Sequence, residues 1–201
     1  MEIWGLTGGI ACGKSTVSRL LAAHGAAIVD ADLLARRVVA TGTDGLAAVV
    51  ARFGPDLLAP DGTLDRKRLG ALVFADAQAR RDLNAITHPR IAQAAQHEVA
   101  QAAARGAPVA IYDAALLVEN GLHHGLREVL VVAASEPTQV ARLRARDGLT
   151  EDEARARIRS QAPLEDKRRA ATCVFENDGS LQHLQAQVDR FWKSVEKRLL
   201  A

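Results

Sequence analysis

The chain alternates short apolar runs with long stretches of helical spacing. Ile3–Leu6, Ala27–Val29, Val109–Tyr112, Val129–Val132 and Cys173–Phe175 are strand-sized and almost wholly apolar, and glycine or polar residues follow each. Such runs suit strands buried on both faces, as in a parallel sheet. Between them, Val17, Leu20 and Leu21 recur at i, i+3 and i+4. Leu181, Leu184, Val188, Phe191, Trp192, Val195 and Leu199 do the same near the C-terminus, which marks one face of an amphipathic helix. The rhythm predicts a three-layer α/β fold, with five parallel strands joined by right-handed helical crossovers.

One interval breaks the rhythm. About 75 residues separate the second strand from the third, far more than a single crossover helix needs. Residues 33–107 read as helical, with loops at Thr41–Thr43, Gly54–Pro55 and Pro60–Gly62. An insertion of this size is expected to form a subdomain that binds an acceptor. A smaller excursion, 142–169, falls between the fourth and fifth strands. Residues 1–201 are read as one domain carrying both, since a domain runs to about 150 residues.

Composition adds bounds rather than direction. Hydrophobic residues make up 48% and charged residues 25%, the profile of a globular chain and not of a disordered one. Four Phe, two Trp and one Tyr are few, so the core is expected to rest on aliphatic side chains and alanine. Cys12 and Cys173 show no ligand spacing, which argues against a zinc site or a disulfide framework. Met1–Gly5 lacks a basic stretch leading into an apolar one, and the run Ala107–Val118 is interrupted by Asp113. A cytoplasmic protein with no membrane association is expected. A net charge of +2 gives no sign of a nucleic-acid partner, and nothing in the sequence sets an oligomeric state.

The chemistry begins at Gly8-Gly9-Ile10-Ala11-Cys12-Gly13-Lys14-Ser15, followed by Thr16. The octapeptide fits G-x-x-x-x-G-K-[ST] without a departure, after a strand and before a helix, which is the setting this phosphate loop requires. The glycines are expected to turn successive N–H groups inward as an anion nest. A helix starting near Lys14 would aim its positive end at the phosphates. Lys14 would reach the β- and γ-phosphates, and the Ser15 hydroxyl would ligate Mg²⁺. Cys12 is either a small filler of the loop or a thiol activated by the helix terminus.

Asp30-Ala31-Asp32 closes the second strand, whose carboxyl end faces the phosphates in a sheet of this type. Asp32 there either takes the proton of an acceptor hydroxyl or caps a helix beginning at Leu33. Asp113, at the end of the third strand, either holds Mg²⁺ through water or is a turn residue.

With Val29–Asp32, Thr87-His88-Pro89 and Leu116-Leu117-Val118-Glu119 following the loop in that order, the chain resembles the dephospho-coenzyme A kinases over essentially its whole length. The resemblance implies a nucleoside-monophosphate-kinase-like core with a helical acceptor domain and a small lid. It also implies ATP and Mg²⁺ as cofactors and dephospho-coenzyme A as acceptor, phosphorylated on its ribose 3′-hydroxyl in the last step of coenzyme A synthesis. It further implies Asp32 as general base, His88 and Arg90 at the acceptor pocket, Leu116 to Glu119 lining it, and Asn177 beside the adenine. Read without it, Thr87 can cap a following helix with Pro89 in the first turn, which would make His88 a helix-start residue. Asn177 is equally the first residue of an Asn-Asp-Gly turn. Two positions depart from the family's usual pattern: Ala115 stands where Pro is usual, and Thr172 where Asp is usual.

Between Arg142 and Arg169 lie nine basic and six acidic residues, so this excursion carries +3 and the rest of the chain −1. Thr150 and Glu153 spell a capping box. Glu151–Arg155 and Glu153–Arg157 are i, i+4 pairs, which places those arginines on a solvated face. Arg142 and Arg146, outside that helix, are the candidates to reach nucleotide phosphates across a closing lid.

Overall fold

A computed structural model describes residues 1–199. Strands β1 (Glu2–Gly8), β2 (Ala27–Asp30), β3 (Val109–Asp113), β4 (Val129–Ala133) and β5 (Cys173–Glu176) form one parallel sheet in the order β2-β3-β1-β4-β5. The apolar runs of the sequence are its middles. β1 is the switch point, with Leu6 beside Asp113 of β3 on one side and Gly8 beside Val132 of β4 on the other. Ligands of open α/β sheets bind outside the carboxyl ends of such strands.

Helices α1 (Lys14–Ala23) and α9 (Leu181–Leu199) cover one face. Their buried Val17, Leu21, Leu184, Val188, Trp192 and Val195 meet Trp4, Leu6, Leu130, Val132 and Phe175 of the sheet. Full burial of each aliphatic side chain is worth about 1.5–3 kcal/mol. The core is less purely aliphatic than composition suggests, because Trp4, Phe175, Phe191 and Trp192 gather there, Phe191 meeting both Trp4 and Phe175 edge-on. Leu181, first in the predicted stripe, is not part of it and stays 58% exposed. The side chain of Leu199, the last member, lies outside the described residues.

On the opposite face an added Cβ at Gly5 would strike Leu117 and Leu126, so those two side chains press directly on β1. Helix α8 (Leu164–Ala170) packs against β1 and β4 on the same sheet. Between β4 and α8, α6 (Glu136–Asp147) and α7 (Glu151–Arg159) pack together through Val140, Leu143 and Ala154. The capping box of α7 is present, Thr150 accepting from the Glu153 N–H and Glu153 from the Thr150 N–H. The Glu151–Arg155 pair forms as well. The expected Glu153–Arg157 pair does not, because Glu153 is committed to the cap and Arg157 turns to Asp147.

The chain divides into two compact units, one of Met1–Val29 with the chain from Gln101 on, the other Asp30–Ala100. The second is helical, with α2 (Ala31–Arg37), α3 (Asp44–Phe53), α4 (Arg66–Ala75) and the greater part of α5 (Ala77–Ala104). Val39, Leu46, Val49, Leu57, Leu64 and Leu69 form its own core. Asp30, Thr43 and Asp65 cap α2, α3 and α4 by accepting first-turn N–H groups, each worth about 1 kcal/mol. The cap expected of Asp32 therefore belongs to Asp30: α2 starts two residues earlier than Leu33, and Asp32 lies exposed in its first turn. Thr87, His88 and Pro89 start no helix either. They lie inside α5, where the Thr87 hydroxyl donates back to the Leu83 carbonyl at 2.9 Å and Pro89 removes one i→i−4 bond.

Candidate functional site

β1 leaves the sheet at Gly8 and turns at once into the loop that precedes α1. An added Cβ at Gly8 would lie 2.5 Å from the Val132 carbonyl oxygen, and one at Gly9 would lie 2.9 Å from Cys12 Sγ and 3.0 Å from Gln139 Oε1. These two glycines serve close approach. Left-handed backbone occurs instead at Ala11 (φ 58°) and Gly13 (φ 92°), so the turn that was expected of glycine alone is shared with an alanine. Gly13 precedes α1 with no side-chain cap and no acidic residue in the first turn. The helix thus presents its positive end to an anion.

Two sets of side chains converge on the loop. The Lys14 ammonium donates to the carboxylate of buried Asp113, so Lys14 is tied to the end of β3 next to β1. On the other side, Asn177 follows β5; its Nδ2 donates to the Cys12 carbonyl at 2.8 Å, and its own carbonyl accepts from Arg142 at 2.7 Å. Arg142, on α6, also donates to the Ala11 carbonyl at 3.3 Å. Asn177 is therefore more than a turn residue. Arg146, predicted beside Arg142, lies instead on its neighbour Asp147. One turn further along α6 it shares a face with Arg142, but its guanidinium is engaged by Asp147 and it does not line the cleft beside Asn177.

Gly13, Thr16, Arg142, Asn177, Gly179, Leu181 and Leu184 line a cleft of about 300 Å³. The exposure of Leu181 has its reason here, as an apolar wall beside two polar groups, the usual make-up of a small-molecule site. Cys12 is fully buried and its thiol is pushed up by that burial, which leaves little of the reactive thiolate; it is a filler. Ser15 and Asp113 offer a hydroxyl and a carboxylate, the hard oxygen donors that Mg²⁺ takes alongside water and phosphate oxygens. The donor set fits that ion.

The segment after β3 holds a group that sequence reading missed. Lys167, counted only as one of the nine basic residues of 142–169, is 0% exposed. It bonds the Glu119 carboxylate at 2.7 Å and the Ala115 carbonyl at 2.9 Å. Glu119 also accepts from the Ala162 N–H at 3.1 Å, so it serves the fold here rather than standing open on a pocket wall, while Leu116 is exposed. The helical spacing of Leu164, Lys167 and Ala170 was the available signal, since it puts the lysine on the buried side of α8. Gln161 accepts from the Ile10 N–H at 2.7 Å, and Asp178 accepts from the Ser135 N–H and hydroxyl beside α6; neither has a local signature. Of the two departures, Ala115 supplies its carbonyl to Thr7 and Lys167. Thr172 bonds both the N–H and the carbonyl of Val129 through its hydroxyl.

In the helical unit, Arg90 pairs with Asp44 at 2.9 Å and donates to the Ile86 carbonyl at 2.7 Å. Val38, Thr43, Asp44, Arg90, Gln93, Ala94 and His97 line a cleft of about 390 Å³ there. His88 lies exposed on α5 and is not one of its walls.

The family model described as dephospho-CoA kinase matches residues 2–183. A relative from Geobacter sulfurreducens named dephospho-CoA kinase is 47% identical over 192 residues, covering 96% of this chain and 98% of the relative. Among solved structures, the Thermus thermophilus protein TT1252 superposes with a TM-score of 0.83 at 37% identity, over 98% of this chain and 97% of that one. A dephospho-CoA kinase from Campylobacter jejuni gives a TM-score of 0.71 at 25% identity, over 98% of each chain.

Proposed function

The chain belongs to the dephospho-CoA kinase family, and from that premise we propose that it moves the terminal phosphoryl group of ATP to the ribose 3′-hydroxyl of dephospho-CoA, the final step of coenzyme A synthesis. The observation that carries the reading is an unbroken phosphate loop, with Lys14 held by Asp113, inside a chain whose residues 2–183 match the family model.

Transfer of a phosphoryl group asks chiefly for positioning and charge neutralisation, with a carboxylate to receive the hydroxyl proton. The loop N–H groups of Gly8 to Thr16 and the positive end of α1 hold the nucleotide phosphates. Lys14 neutralises the migrating group, and Arg142 together with Asn177 fixes the loop and the base-side cleft. Ser15 and Asp113 would hold Mg²⁺, which when bound offsets charge on the phosphate oxygens. Asp32, relieved of capping by Asp30, takes the 3′-hydroxyl proton. The cleft around Arg90, with His88 nearby on α5, receives the anionic acceptor, and Leu116 offers an apolar contact. Within 142–169 the covering part is α6 and α7; it shields the transfer from water and so from wasteful hydrolysis. A cytoplasmic setting belongs to the same proposal; among the described residues no helix is long and apolar enough to cross a membrane.

A parallel assay of ATP consumption with dephospho-CoA and with nucleoside monophosphates tests the reading. Faster transfer to dephospho-CoA is expected; faster transfer to the monophosphates would overturn it.

A further inference from the structure

Gln161 lies in the connector between α7 and α8, and its carboxamide oxygen sits 2.7 Å from the Ile10 nitrogen of the phosphate loop. A backbone N–H can only donate, so this contact fixes which way the amide faces. Oε1 is the atom that meets Ile10, which leaves the two Nε2 protons for another acceptor. Among the described residues those protons have no protein acceptor. The connector is not free to drift. Ala162, the next residue, is bonded to Glu119, Glu119 is held by fully buried Lys167, and Ile10 and Ala11 pack on the apolar cluster of Val140, Leu143 and Ala154. The chain thus spends a buried ion pair on keeping a pair of neutral donors at the rim of an anion cradle.

The place along the loop indicates which phosphate those donors meet. Gly13 and Thr16 border the cleft with Asn177 and Arg142, and Ile10 is not among its walls. Ile10 is tied instead, through Gln161 and the adjoining Ala162, to Glu119 in the segment following Asp113, the partner of Lys14. We propose that Gln161 is a further nucleotide-contacting residue, whose Nε2 donates to an oxygen of the terminal phosphate of the bound nucleoside triphosphate while its Oε1 braces the loop through Ile10. Gln161 thereby favours a triphosphate over a diphosphate. The inference rests on Gly8–Ser15 being the phosphate cradle; its test contains no acceptor, so it fails or stands separately from the identity of dephospho-CoA.

Calorimetric titration of ATP and of ADP, each with Mg²⁺, into the wild type and into Gln161→Glu separates the two halves of the carboxamide. The carboxylate still accepts from Ile10 but replaces the donors with negative charge. A hydrogen bond to a charged group sets the expected loss at about tenfold or more in ATP affinity, with ADP affinity changed by less than about threefold. Gln161→Ala, which also loses the brace, should weaken both nucleotides and still lower the ATP-to-ADP preference by about tenfold. Equal losses for the two nucleotides in either variant would make Gln161 a loop brace alone and overturn the proposal. So would an unchanged ATP affinity.

Discussion

Replacing Glu119 by leucine would leave the Lys167 ammonium buried with the Ala115 carbonyl as its remaining bond. The two ends of this ion pair are not equivalent. Lys167 is 0% exposed and Glu119 19%, so water can reach the carboxylate when its partner is lost but not the ammonium. Removing one partner of a buried pair costs about 3–5 kcal/mol, and Glu119→Leu should fall in that range. Lys167→Met keeps most of the volume and leaves Glu119 with the Ala162 N–H and solvent, so its loss should be nearer 1–3 kcal/mol, roughly that of one unsatisfied group. For a chain of this length each kcal/mol moves the melting temperature by about 2–4 °C. Glu119→Leu should therefore melt about 6–20 °C lower, and Lys167→Met distinctly less. The double variant should recover much of the loss, since an apolar pair of similar volume replaces a buried ion pair at little cost. Differential scanning calorimetry of the four proteins decides it. Equal destabilisation by the two single changes, or a double variant worse than Glu119→Leu, would refute the argument.

Three further outcomes follow from the loop and its supports. Gly13→Ala places a side chain at φ 92° and against Asn177; ATP affinity should drop about tenfold or more in a binding titration, the strain being of order 1–3 kcal/mol. Asp178, held below its ordinary value by the Thr138 and Ser135 hydroxyls, contributes stability above the unfolded carboxyl's pKa. That contribution is lost as pH falls through the lower folded value. Asp178→Ala should thus lose a few tenths of a kcal/mol up to about 1 kcal/mol near pH 7, since Asp178 is exposed and its interactions are screened by solvent, with the gap to wild type closing in acid, as followed by urea titration at several pH values. Cys12, its thiol raised by burial, should react with iodoacetamide far more slowly in the native protein at pH 8 than in urea, by mass spectrometry; native reaction at the rate of a free thiol would contradict its role as filler.

The parts of this molecule that are written locally were legible in the sequence. The strands showed because a parallel sheet buries both faces and needs unbroken apolar runs, and the loop showed because its spacing is itself the structure. The capping box at Thr150 is likewise three residues wide. What escaped was either displaced by a turn or closed at long range. Asp30 and Asp32 are both able to cap one helix, and only the backbone distinguishes them. Pro89 usually marks a helix start, yet α3 and α4 offer a core in Leu46, Val49 and Leu69, and packing of Leu83 and Ile86 from α5 against it carries the helix through the proline. Lys167 was hidden by Arg168 and Arg169 beside it, and its acid lies 48 residues away. Gln161 and Asp178 act on elements that only the folded sheet brings near.

The most direct test of the account is phosphorus NMR of ATP and dephospho-CoA turned over by the wild type and by Asp32→Asn, with ATP affinity measured in parallel. The wild type should build a phosphomonoester on the ribose 3′-oxygen. The variant should form it about 10²–10⁴-fold more slowly with ATP affinity nearly unchanged, as expected on removal of a general base. A fall of less than about tenfold, well short of that range, would contradict the account, as would a phosphate appearing elsewhere on the acceptor.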